Sequence, residues 1–268
     1  MVIQESSQRF FPSEEPAQSA VAAGFRFGPK GTHTSRTIML DELSALFQLT
    51  TPAAGRKEYA QAIIEMNCLA KPTSATRRLT NQRLGELYAL DQAVPLFRVF
   101  RRLWNLGDAG RRLLAVQCAI ARDPLLAATA ATILPLPPGG EFMREPMITA
   151  LRELVGDRMN ESTLGKVVRN AASSWTQSGH LRGRTFKKRQ RVLATPGTVA
   201  FALYLAYAAG FRGFDLFASG WMAVLDCDPS TGRQPALEAK RIGLIDLRMA
   251  GEVLELNLDR LDPANVRS

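Results

Sequence analysis

The chain is poor in the residues that build metal sites, disulfide frameworks and most catalytic centres. Its 268 residues include two histidines, His33 and His180, and three cysteines, Cys68, Cys118 and Cys227. The histidines stand at no metal-ligand spacing to each other or to a cysteine, so no metal is expected. No CxxC pair exists, and Cys68 and Cys118 sit in apolar, helix-like stretches. They read as buried free thiols of a reducing compartment, which places the protein in the cytoplasm. The motifs GxxxxGK[ST], GxSxG, HExxH and a post-strand GxGxxG are all missing. Neither a cofactor nor catalytic residues are expected. The carboxylate pairs have local explanations. Asp226 and Asp228 precede a Pro-Ser-Thr-Gly turn, and Asp41 and Glu42 fall in the first turns of a helix.

Long hydrophobic runs are scarce too. The N-terminus mixes both charge signs and has no apolar core, unlike a signal peptide. Residues 194–211 carry no charge, but this stretch opens with Pro196 and falls short of the ~20 apolar residues that a span needs. It reads as a buried helix of a soluble domain, and no membrane partner is expected.

The most informative scarcity is of acid. Between Ser162 and Phe214 there is no Asp or Glu, while Lys166, Arg169, Arg182, Arg184, Lys187, Lys188, Arg189, Arg191 and Arg212 all fall there. Those nine cations equal the net charge of +9, so the basic surplus is local, not diffuse. A local surplus of this kind fits a polyanion.

Around that window the pattern is helical. Ile38, Leu40, Leu43, Leu46 and Phe47 give one stripe; Tyr59, Ala62, Ile63, Met66 and Ala70 give a second, ended by Lys71-Pro72. Thr73, Asp123 and Thr195 stand where N-caps belong, the last two followed by proline. Leu164, Val167, Val168, Ala171, Ala172 and Trp175 form a full amphipathic face over 162–178, which Gly179 closes. Near the C-terminus the period changes to two, and 244–258 reads as a β-hairpin turning at Ala250-Gly251. The fold class is mainly α, in two helical lobes with short hairpins in the second. Residues 1–35 are expected to be a mobile arm, 36–134 the first lobe and 142–268 the second. The Pro/Gly-rich segment 135–141 serves as the linker.

The candidate site lies on the opposite face of the 162–178 helix and in the ribbon after it. Lys166, Arg169, Asn170, Ser173 and Gln177 share that face, and their side chains suit phosphates and base edges. A basic hairpin follows, turning at Arg182-Gly183-Arg184 and carrying Lys187, Lys188, Arg189 and Arg191. Helix then basic ribbon is the order of a winged helix-turn-helix, with the helix in the major groove and the wing on the backbone. A basic run alone is often a solvated loop; the helix beside it in one acid-free window makes the case. Six phosphate contacts would give a log–log salt slope of about −5. Arg77 and Arg78, at a helix N-terminus with Thr73 and Ser74, are further phosphate candidates. The remaining Arg pairs alternate with acids and read as an ion-paired surface.

Several stretches resemble the BrxA family of bacteriophage-exclusion (BREX) systems. They are SRTIMLDEL at 35–43, Asn67 with Ala70-Lys71-Pro72 and Ser74-Ala75-Thr76, Arg83-Leu84, IARDPLL at 120–126, and GKVVRNAASSWTQSGHLRG at 165–183. The resemblance implies a mainly helical, NusB-like fold. It also implies non-catalytic binding of duplex DNA beside other phage-defence proteins. The chain departs from the family in the residues beyond 195, terminal hairpin included. Two other readings stand beside this one: a NusB-type RNA-binding factor, and an adaptor whose ribbon docks an acidic protein.

Overall fold

Helix α10, Pro196–Ala209, is apolar on every side and therefore belongs in the middle of the molecule. Thr195 and Thr198 cap it reciprocally, and proline occupies its first turn. The computed structural model describes residues 9–251 and 253–264. In it α10 is buried along nearly its whole length, packed by α1 (Gln18–Ala23), α5 (Pro95–Trp104), α6 (Arg111–Arg122), α11 (Gly220–Ala223) and α12 (Arg233–Arg241). The uncharged stretch is thus a core helix. No single described helix is long and apolar enough to cross a membrane.

A second group forms on α6. Helices α7 (Pro124–Ile133), α8 (Arg144–Val155) and α9 (Glu161–Gln177) pack on one another, and α6 and α7 both touch α9. The α9 face read from the sequence is the buried one, from Leu164 to Trp175. Helices α2 (Leu40–Leu49), α3 (Arg56–Ala60) and α4 (Ser74–Tyr88) complete the set. Thr73 accepts from the Thr76 N–H at 3.1 Å and starts α4 as expected. The fold is mainly α with two antiparallel hairpins. The first pairs β1 (Leu181–Arg182) with β2 (Lys188–Arg189). The second pairs β3 (Asp246–Ala250) with β4 (Val253–Asn257) and buries Leu247 and Leu254.

Three expectations differ from the structure. Residues 9–35 are not a loose arm; residues 1–8 lie outside the described set. Trp221 donates its indole N–H to the Phe10 carbonyl at 2.9 Å, with the two rings edge to face. Phe25 meets the same indole, and His33 is fully buried. Aromatic burial, which needs no helical period, holds this segment. The 135–141 segment does not divide the chain into separate packing units. One apolar core runs across it, since α10 lies against α5 and α6 from before the break. Its backbone is also paired: Gly139 and Phe142 donate to the carbonyls of Arg189 and Lys187, both at 2.8 Å. The expected helix over 59–70 stops early. α3 widens into a π-turn at Gln61–Glu65, and Asn67 and Ala70 adopt positive φ, so Met66 points outward at 72% exposure.

Candidate nucleic-acid interface

The basic ribbon is rooted at three points. Gly183 has φ +121°, and a Cβ there would overlap the Phe186 carbonyl oxygen, so only glycine closes this turn. Lys187 lays its ammonium on Thr176 Oγ1 of α9 (2.9 Å) and on the Gly183 carbonyl (3.1 Å). Burial there lowers its pKa. Residues 139–142 leave a tight turn and pass beside β2, with Glu141 bridged antiparallel to Lys188.

Arg189 departs from the sequence reading. Strand periodicity turns it inward, opposite to Lys188, and its side chain is 2% exposed. The guanidinium pairs with Asp226, donates to the Gln190 carbonyl, and reaches the Ile133 carbonyl at 3.2 Å. Asp226 also accepts from the Val192 N–H at 2.7 Å. Turn chemistry therefore explains Asp228, which accepts from Ser230 and Thr231, but not Asp226. Arg189 is a structural cation and cannot clamp a phosphate.

On α9, Asn170 is spent too. Its amide donates to the His33 carbonyl (2.8 Å), and Gln177 bonds to Thr37 Oγ1 and the Leu40 N–H. Residues 32–40 thus cover one edge of the face that was expected to be open. What stays open is Lys166 and Arg169; the half-buried Ser173 and Thr176 continue their stripe, three or four residues apart, to the Lys187 ammonium. Lys166, Arg169, Arg182, Arg184, Lys188 and Arg191 are all exposed and make no side-chain hydrogen bond or ion pair among the described residues. Arg212 stands apart. It stacks on Tyr207 at 3.8 Å beyond the far end of α10, roughly 20 Å of helix away from the ribbon end.

Of the second pair, Arg77 turns back to the carbonyls of Lys71 and Ile64, both 3.3 Å away. Arg78 is exposed, on a helix that packs chiefly against α6, the 61–65 turn and the 32–34 turn. Other arginines pair as expected, Arg83 with Glu86 (2.7 Å), Arg111 with Asp108 (2.6 Å) and Arg98 with Asp262 (2.9 Å). Arg101 is instead buried over the Phe47 ring at 4.3 Å.

Both histidines carry weight that the sequence did not reveal. His33 Nδ1 lies 2.8 Å from Asp123 Oδ2, and its Nε2 lies 2.8 Å from Ser174 Oγ. The order is that of a nucleophile, base and orienter. Yet the side chains of His33, Asp123 and Ser174 are 0%, 1% and 0% exposed. Ser174 Oγ also takes the Ile38 N–H (3.0 Å) and lies 2.9 Å from the Asn170 carbonyl. The three groups clasp residues 32–38 between α7 and α9. Lys71 pairs with Glu42 at 3.0 Å, Arg83 with Glu86, and Glu86 in turn with Thr32 at 2.8 Å.

His180 sits under the ribbon, edge-on to Trp175. Its Nε2 faces the Val224 carbonyl at 2.7 Å, so that nitrogen carries the proton and Nδ1 accepts from Ser178 Oγ at 2.8 Å. Burial, with Arg189 nearby, lowers its pKa to about 4. The unfolded chain binds this proton near pH 6.5. Stability is therefore full above that value and falls as pH drops towards 4, by on the order of 3 kcal/mol. Urea unfolding at pH 7 and 4.5 should show the loss in the wild type and little of it in His180→Gln.

No family model and no curated protein matches the chain.

Proposed function

We propose that this protein binds duplex DNA without catalysis, using a braced basic hairpin and the adjoining stripe of α9. The observation that carries the reading is the set of six exposed, unneutralised cations on two elements that Lys187 and Thr176 join. Cations that served only solubility would be interspersed with acids. Here the folding cations, Arg189 and Lys187, have protein partners, and the others are left to solvent. The ribbon follows the phosphate backbone as a wing does, and Arg169 with Lys166 faces the groove edge. The resemblance to BrxA supports placing this activity in a phage-defence assembly.

The test is a salt series on unrelated duplexes. With six contacts, log Kobs should fall against log salt with a slope of about −5, whatever the sequence. A slope near zero would overturn the reading. Tighter binding to A-form RNA would favour the NusB-type alternative, and salt-independent capture by an acidic protein would favour the adaptor.

A further inference from the structure

The ribbon's apex holds a side chain that phosphate binding does not require. Phe186 is 71% exposed, at the tip of a hairpin whose other outward side chains, Arg182, Arg184, Thr185 and Lys188, are charged or polar. Burying this ring in the core would be the ordinary fate of a phenylalanine. The apex is not slack. The Gly183 turn is closed against the Phe186 carbonyl, Lys187 is tied to α9, and Arg189 is locked under the sheet. Beside the ribbon, Phe142 donates to the Lys187 carbonyl, and Met143 follows it in the chain. Met143 is also exposed, at 59%. Two exposed apolar side chains thus lie on adjoining segments that also carry exposed cations, and Arg144 follows Met143 directly.

We infer that Phe186 is a base-stacking wedge: it enters a duplex between base steps while the surrounding arginines and lysines hold the phosphates, so the preferred ligand is duplex DNA with a weakened step. This rests on the DNA-binding reading above. Charge complementarity fixes the ligand as a polyanion. The exposed ring then requires an aromatic or unstacked face within that polyanion, which base steps provide and phosphates do not. A rigid root is what a wedge needs, because a mobile tip would fold away instead of prying bases apart.

The experiment compares two duplexes of identical length, one fully paired and one with a central mismatch flanked by 2-aminopurine. The wild type should bind the mismatched duplex about tenfold more tightly. The 2-aminopurine fluorescence should rise on binding as the base leaves the stack. Phe186→Ala should bind both duplexes alike, without the fluorescence change and with the salt slope kept; Phe186→Trp should restore the preference. Phe186 is exposed, so unchanged thermal unfolding of the variants serves as the folding control. No preference in the wild type, or a preference that Phe186→Ala retains, would sink the wedge while leaving DNA binding intact. Absence of salt-dependent binding to either duplex would remove both ideas together.

Discussion

Asp123→Ala should cost the fold about 3–5 kcal/mol, among the largest single-site losses expected in this chain. One carboxylate does two jobs there. It accepts from the Leu125 and Leu126 N–H groups, at 3.0 and 3.3 Å, and so caps α7. It also accepts the His33 backbone N–H at 3.0 Å and faces the His33 ring at 2.8 Å. Removing it strands two buried donors of His33 and leaves α7 uncapped, at a depth where solvent cannot take over. Asp123→Asn keeps the cap acceptor and should lose less. The pH dependence has a definite sign. Burial alone would raise the Asp123 pKa, but the His33 ring, the His33 N–H and the Leu126 N–H outweigh it and hold the carboxyl below its ordinary value. A depressed carboxyl stabilises the fold above its unfolded pKa, near 3.9, and loses that contribution as pH falls through the folded value. The gap between wild type and Asp123→Ala should therefore be full at pH 7 and close only below about pH 4. Urea midpoints at pH 7, 5 and 3 measure it. A gap that is already gone at pH 5 would show that the carboxylate is not the group responsible.

Which of these features could be read from the sequence follows from their range. The caps at Thr73, Asp123 and Thr195 were legible because a cap is a contact over two or three residues. The α9 face was legible because six apolar positions keep one period. The His33 clasp spans 90 and 141 residues of sequence, and no local pattern encodes it. The aromatic cluster of Phe10, Phe25 and Trp221 is hidden for the same reason: rings that meet across as many as 211 residues leave no local period. Arg189 is an instructive middle case. Strand alternation requires Lys188 and Arg189 to face opposite sides, so one of the two had to point inward. Choosing between them needs Asp226, 37 residues on, whose local setting resembles an ordinary turn. A count of cations does not reveal this, because it ignores which of them already have partners.

That distinction predicts opposite outcomes for two sets of substitutions in the same short ribbon. Neutralising Arg182, Arg184, Lys188 and Arg191 together with Gln should leave urea unfolding unchanged, since all four are exposed and partnerless among the described residues. DNA affinity should fall on the order of 10³-fold at 0.1 M salt, and the salt slope should flatten by about 4. Arg189→Ala should do the reverse. It removes the buried cation of the pair, leaves Asp226 with the Val192 N–H alone, and uncouples the ribbon from the Ile133 carbonyl. The expected cost is about 3–5 kcal/mol of stability. The molecules that remain folded should keep the wild-type salt slope, because Arg189 has no exposed donor to offer a phosphate. Fluorescence anisotropy across a salt series, run beside urea titrations on the same preparations, separates the two. A quadruple variant that binds like the wild type would mean the open cations are not the interface. An Arg189→Ala protein of normal stability with a flattened slope would mean that this guanidinium swings out to the ligand.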